Sequence, residues 1–518
     1  ARTLSRDDKS NIGPRLGAAY AFNDRTVVRG GIGLYYAPVL YGTNGGGDIN
    51  TGTIGYNTTG QLFTPDGRNA RFFLSQFPSI PATDPNSQFV GNLGVPILAF
   101  GQFGNGFRTG RTLQYTIDVQ RELPYRLVAS VGYIGHRADR LRSNFGRPNA
   151  LTLDQLKLGN EILRTDINAV TTQQRAYASS IGVNIPANAN AVYAGFGGNV
   201  AQAIRPFPQY GRVTDILESE GESDYNALQI KVDRRFAQGF QFGASYTFSR
   251  LITNASEDIL GGSPLDGVLQ NPYDLESLKT VSPTHSPHVF VTNFLAELPF
   301  GKGKAFLNYG GIADRIFGGF QVSGIFRIQQ GTPLVFSLEP EPGGFLELAG
   351  IFGRLRPNLT GQPIAANQRV ADPNNPGRFV ILNPAAFSAP PRFNAAPAFL
   401  LNGAINPAYT AYYSDPTRFF GNAPLVNTDF RSDRYFTADM SILKKTRITE
   451  TVLFEIGAEF FNVLNQVLYL PPDTFLGRQE GALGNINRTN TNFGAEGFTP
   501  RLGEAGNRVI QLRARLVF

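Results

Sequence analysis

The chain offers only three histidines in 518 residues, and two of them stand close together in His285-Ser286-Pro287-His288. That density could suit a metal. A zinc site needs three or four ligands, and no third His or Cys is near in sequence. The plainer reading is a strand entrance carrying an interfacial histidine. A second cluster, Glu218, Glu220, Glu222 and Asp224, alternates through the stretch LESEGESD. Hard carboxylate oxygens could hold Ca²⁺, or bridge through it to lipopolysaccharide. The spacing departs from the helix–loop–helix calcium motif, and a solvated loop edge ahead of a strand explains the acids equally. Gly301-Lys302-Gly303-Lys304 lacks the spacing and following helix of a phosphate loop, and reads as a basic turn. No Ser/His/Asp or Cys/His set is evident. The expectation is that the chain is no enzyme and binds no cofactor.

These candidates are sparse because the composition is unusual. There are 58 Gly, 34 Pro, 41 Phe and 20 Tyr, against one Met, no Trp and no Cys. Without cysteine there is neither a disulfide framework nor a thiolate metal site. The formal net charge is +7, but Lys and Arg are scattered beside turns and along polar faces with no basic stripe, so nucleic acid is not an expected partner. No run of 18 apolar residues exists, which rules out a spanning helix but not a barrel, whose strands carry a weaker, alternating signal. The chain opens on Ala1 with no signal peptide visible, so a mature, cleaved or truncated start is expected.

The elements that must position any site are alternating runs. In 225–250 the residues Leu228, Ile230, Val232 and Phe236 share one face, with Gln229, Lys231, Asp233 and Arg235 on the other. After Ala237-Gln238-Gly239, Phe240, Phe242, Ala244, Tyr246 and Phe248 alternate with Gln241, Gly243, Ser245, Thr247 and Ser249. Similar runs lie near 14–22, 26–36, 111–122, 126–137, 288–299, 318–329, 434–445, 450–462 and 507–518. Connections alternate between short turns and stretches as long as 330–433, rich in Gly, Pro and Asn, with one helix expected from Thr152. Sandwich strands average about six residues, and these runs are nearly twice that. Short turns on one side and long loops on the other are the pattern of a transmembrane antiparallel β-barrel, with lipid on the apolar face and a polar lumen on the other. Tyr35, Tyr36, Phe236, Phe240, Phe300, Phe460 and Phe518 fall at strand ends, where an interfacial aromatic girdle sits. The expected lumen-facing residues are Asp118, Gln120, Gln229, Lys231, Asp233, Gln321, Arg327, Asp439, Glu455, Glu459, Arg513 and Arg515. They suit ligand passage or plug docking, and equally suit mutual neutralisation across strands.

Several stretches carry a resemblance. Asn11–Tyr20 with Val28–Tyr36, Asp224–Arg250, Pro299–Lys304 with Gly319–Pro333, and Asp439–Lys444 with Glu459–Asn465 together resemble the C-terminal barrel of TonB-dependent outer-membrane receptors of the Oar-like type. That resemblance implies an all-β barrel in the outer membrane of a Gram-negative bacterium and partnership with TonB and a plug domain. It also implies import of a siderophore, oligosaccharide or peptide. Some Oar-like proteins are linked instead to protein export or adhesion, and a passive porin is a further alternative. The terminal Phe518 matches the assembly signal of barrel substrates. The family has an N-terminal plug and, as a rule, 22 strands, whereas about eleven crossings and no plug are visible here. Residues 1–518 are therefore expected to be the C-terminal half of that barrel, with the plug and N-terminal strands absent. Val95–Phe103 and Phe379–Phe387 are the stretches where further crossings could hide.

Overall fold

The computed structural model describes residues 11–37, 97–99, 108–143, 147–211, 213–215, 218–255, 271–341, 344–351, 353–371, 379–394, 397–467, 469, 471–480, 485–487, 495–496 and 508–518. Every expected crossing forms a strand. In chain order they are β1 Arg15–Asn23, β2 Thr26–Ala37, β3 Gly110–Leu123, β4 Leu127–Ser143, β5 Glu218–Ala237, β6 Phe240–Thr253, β7 His288–Glu297, β8 Phe320–Gln329, β9 Tyr435–Arg447, β10 Leu453–Phe461 and β11 Val509–Val517. They pair in sequence order into one antiparallel sheet, to which the two-residue strand Thr280–Val281 adds beside β6. Among the described residues β1 pairs only with β2, and β11 only with β10, so the two ends of the described sheet do not meet.

Local chemistry sets the register. Between β5 and β6, Gln238 (φ 54°) and Gly239 (φ 75°) both lie in the left-handed region, as a two-residue hairpin turn matching strand twist requires. That turn places Ile230 opposite Tyr246 and Lys231 opposite Ser245, so apolar meets apolar and polar meets polar. A slip of one residue would exchange the two faces.

The described parts of the connections 138–224, 300–317 and 330–433 hold more helix than the single one expected from Thr152. The helix expected from Thr152 exists as α1 Leu153–Leu156, closed by a capping box between Thr152 and Gln155. It is followed by α2 Gly159–Arg164, α3 Thr172–Ser180, α4 Ala189–Val192 and α5 Val200–Ala203. Residues 298–319 carry α6 Ile312–Phe317, and 330–433 carries α7 Phe345–Ala349 and α8 Pro407–Tyr413. Side chains from 151–204 and from 334–420 pack into one hydrophobic core that includes Leu156, Ile162, Phe336, Leu338, Tyr409, Tyr413 and Phe419. The sheet itself buries few large side chains, whereas this cap is packed like a soluble domain. The two stretches offered as hidden crossings belong elsewhere. Ile97–Ala99 pairs in parallel with Val213–Asp215, and Phe379–Leu382 pairs with Ala365–Ala371; neither joins the main sheet. The rest of 95–103 lies outside the described residues.

Candidate functional site

Cross-strand register carries one apolar face across the whole sheet. Starting at β3, Ile117 stands opposite Tyr133, Tyr133 opposite Leu228, and Leu228 opposite Phe248. Further on, Phe290 faces Ile328, Val322 faces Ile442, and Ala458 faces Leu512. Phe240, Phe242, Tyr246 and Phe248 lie on this face; Gln241, Ser245 and Ser249 lie on the other.

Polar groups close this apolar face above and below. On the loop side Asn226 Oδ1 accepts from the hydroxyls of Tyr115 (3.0 Å) and Tyr133 (2.7 Å), and two same-face rows higher Arg111 is paired with Asp139 at 2.7 Å. On the short-turn side Arg234 donates to the Phe240 carbonyl at 3.2 Å. From Asn226 to Arg234 is eight strand steps of about 3.3 Å; tilted by about 40°, they rise about 20 Å, close to the apolar band of about 25 Å of a membrane barrel. β4 and β5 extend well beyond this band on the loop side. Of the strand-end aromatics, Tyr35 departs from the girdle: it shares the polar face with Arg15, whose guanidinium lies 4.4 Å from its ring.

The opposite face gathers all the residues expected in the lumen. Asp118 stands opposite Gly132, which stands opposite Gln229; Lys231 and Asp233 follow on β5, Arg327 on β8, and Asp439 on β9. Glu455 lies between Lys445 and Arg515, and Glu459 stands opposite Gln511. Some of these groups neutralise one another: Lys231 with Asp233 at 2.8 Å, Arg513 with Glu459 at 3.3 Å, and Lys445 with Glu455 at 3.7 Å. Asp439 Oδ1 accepts from the Asn462 backbone at 2.8 Å, and Arg327 donates to Gln329 at 2.7 Å beside the Tyr435 ring. The face is not uniformly polar. Val291 and Leu295 of β7, Ile325 of β8 and Leu443 of β9 interrupt it, a strip that alternation alone does not single out.

The histidine pair is divided between two environments. His285 is buried and its Nε2 donates to the Ser249 carbonyl at 3.1 Å, while its own carbonyl accepts from Arg431 at 3.2 Å. Burial pushes its pKa down from the usual imidazole value, and the charges of Arg431 and Arg250 add to that. His288 stacks on Phe248 and bonds Tyr246 through Nδ1 at 2.7 Å. Among the described residues no three His, Cys, Asp or Glu side chains converge as a metal would need. The acidic stretch is inside β5 rather than ahead of it. Glu220, Glu222 and Asp224 continue the parity of Leu228; the Glu218 side chain lies outside the described residues. Lys279 bridges Glu222 (2.8 Å) and Asp224 (3.8 Å). The Gly301–Lys304 turn is held by its own backbone and by Lys304 pairing with Glu297 at 2.8 Å.

The cap was not legible as a site. Its two insertions are tied by Arg205, whose guanidinium donates to Gln202 and to the carbonyls of Gly211, Glu347 and Leu348 at 2.9–3.3 Å. Burial lowers the Arg205 pKa to about 10. Tyr409 donates to the Leu158 carbonyl at 2.6 Å, and Tyr273 reaches the Leu151 carbonyl from a third connection.

A wide antiparallel sheet with one continuous apolar face, a charged reverse face and folded loops on one side is the architecture of a large membrane barrel. The sequence signature of the outer membrane beta barrel domain matches residues 1–511, and the chain belongs to that family. Its place is the outer membrane of a Gram-negative bacterium. No curated protein matches the chain. Among solved structures, it aligns with the outer membrane transporter YddB from Escherichia coli at 10% identity and TM-score 0.38, covering 98% of this chain and 40% of that one. It aligns with the pyoverdine outer membrane receptor FpvA from Pseudomonas aeruginosa PAO1 at 9% identity and TM-score 0.36, over 98% and 36% of the two chains. The FrpB iron transporter from Neisseria meningitidis aligns at 8% identity and TM-score 0.35, over 98% and 39%. The chain thus spans about two fifths or less of the length of these structures.

Proposed function

We propose that this chain is the C-terminal part of the barrel of a TonB-dependent outer-membrane receptor of the Oar-like type. It imports a ligand too scarce or too bulky for passive pores: a siderophore, an oligosaccharide or a peptide. One observation carries the reading, the direction of the two free edges. Strands alternate along the sheet, so β1 and β11 run the same way, from the loop side to the short turns. Joining them directly would make a parallel seam in an otherwise antiparallel ladder. Each edge left open in hydrocarbon would leave unpaired backbone groups at several kcal/mol apiece. An odd number of further strands satisfies both edges. The resulting ring is wider than the roughly eight-stranded barrels that side chains can fill, and needs a plug to be closed to free diffusion. Asp118, Gln229, Lys231, Asp233, Arg327, Asp439, Glu455, Glu459, Arg513 and Arg515 then line the lumen, and the strip of Val291, Leu295, Ile325 and Leu443 suits contact with a plug. By family resemblance, TonB acting on that plug delivers energy from the inner-membrane proton gradient.

The test is uptake by cells carrying or lacking the gene, using a ferric siderophore, a labelled dextrin and a labelled peptide. A receptor takes up one of them in a manner abolished by a protonophore. Uptake that persists without the gradient identifies a passive porin instead. The folded cap favours a second reading, an outer-membrane protein acting in protein export, adhesion or surface-complex assembly. Replacing 147–211 with a short linker discriminates: a surface-assembly protein loses partner binding, whereas a transporter also loses or alters energised uptake.

A further inference from the structure

The connection between β7 and β8 is compact and internally satisfied, yet greasy outside. Gly301 N donates to the Phe306 carbonyl at 3.1 Å and Phe306 N to Pro299 at 2.9 Å. Asp314 Oδ1 accepts from Lys302 N at 2.7 Å and its carbonyl from Gly318 N at 2.8 Å, folding α6 back over the turn. With those polar groups turned inward, Phe306 (61% exposed), Tyr309 (65%) and Ile312 (75%) stand outside together with Leu307, Ile316 and Phe317. Ile312 and Ile316 are one helical turn apart and share a face of α6. Six large apolar side chains in twelve residues form a patch that a surface facing only water rarely carries.

Lys444 indicates which side of the sheet this patch joins. It belongs to the apolar face, opposite Phe320 in the register. Its ammonium lies 4.4 Å from the Phe320 ring and donates to the Gly318 carbonyl at 2.7 Å, at the end of α6. A lysine reaching from a lipid face to a polar carbonyl marks the edge of the hydrocarbon. The C-terminal end of α6 is therefore at the rim of the lipid-facing surface, and the patch continues that surface.

We propose that residues 298–319 are an interfacial foot, seated in the phospholipid leaflet on the short-turn side of the outer membrane. Phe306, Leu307, Tyr309, Ile312, Ile316 and Phe317 enter the boundary between headgroups and acyl chains, while the Lys302–Lys304 turn stays with the headgroups. The assignment to the periplasmic leaflet rests on the receptor orientation proposed above. The lipid contact itself rests only on the patch and on Lys444.

The chain has no cysteine, so single thiols are unique labels. Phe306→Cys, Ile312→Cys, Ile316→Cys and the exposed control Lys302→Cys are expressed in the whole protein and labelled with a nitroxide in isolated outer membranes. Heat-modifiable mobility verifies the fold of each variant. Collision rates with oxygen, which concentrates in lipid, and with a water-soluble nickel chelate are then compared. Lipid seating gives oxygen collisions severalfold above nickel collisions at 306, 312 and 316, and the reverse ratio at 302. High nickel rates at all four positions mean a wet patch and overturn the proposal. Low rates for both probes at the three apolar sites mean a covering protein, such as a plug, and also overturn it. Lys302→Cys on intact cells is treated separately with a membrane-impermeant maleimide. Labelling without permeabilisation would place the short turns outside and defeat the receptor orientation, while the collision ratio would still decide the lipid contact.

Discussion

At the scale of single residues, the face a side chain occupies matters less than its height in the band. Phe242 stands opposite Arg234 at the short-turn rim, whereas Phe326 is mid-strand, opposite Thr292 and Ala438 and stacked on Phe294 at 6.1 Å. Phe326→Arg is expected to cost about 2–4 kcal/mol, and Phe242→Arg about 0–1 kcal/mol, because the penalty for a lipid-facing charge falls from midplane to interface. Denaturant titration of the folded protein in lipid measures both; equal costs would refute the placement of the band. His285 supplies a pH dependence with a definite sign. Its folded pKa is depressed, so below the ordinary imidazole value the unfolded chain binds the proton that the folded one refuses. Stability of the 271–287 connection is expected to be full at neutral pH and to fall as the pH drops through about 6.5. Hydrogen exchange at that connection should report the loss, and His285→Gln should flatten the profile.

At the scale of elements, the turns and the cap obey different rules. The β5–β6 turn needs positive φ at both central residues, so Gly239→Val is expected to destabilise the hairpin by about 1–2 kcal/mol, read as lowered heat-modifiable yield. The cap depends on long-range polar ties instead. Arg205→Met keeps the bulk but removes the guanidinium donor from the Leu348 carbonyl and from the Glu347 carbonyl, which keeps only its bond from Gly350 N, at about 1–3 kcal/mol in total. Limited proteolysis should then cut within 147–211 and 344–351 while the strands stay protected. Cleavage no faster than in the parent protein would mean that the hydrophobic core alone holds the two insertions together.

At the scale of the whole molecule, the open edges govern assembly. Every residue of β1 is exposed, and Phe518 stands just past β11. A protein carrying both Ala18→Cys and Ala514→Cys on the apolar face is expected to form no disulfide between β1 and β11, within one chain or between two, because both edges run the same way. Oxidised dimers on a gel would contradict the odd-strand closure. Deleting Phe518 is expected to lower the amount of folded barrel in outer membranes; unchanged assembly would remove it as a signal.

Strand number, pairing order and the division into apolar and charged faces were readable from the sequence, because alternation has a period of two and hydrocarbon enforces it over many residues. Alternation alone assigns Lys231, Asp233, Arg327 and Asp439 to the polar face. Three things required the tertiary structure. The height of each residue in the membrane depends on where rows such as Asn226 with Tyr115 and Tyr133 fall, which involves partners about a hundred residues apart. The cap core joins Leu158 to Tyr409 and Arg205 to Glu347 across intervening strands, and helices as short as α1 or α7 carry no periodic signal strong enough to announce such packing. The lipid side of the 298–319 connection became visible only through Lys444, because a turn has no fixed parity, and which way its greasy side chains point is decided by the strand beside it.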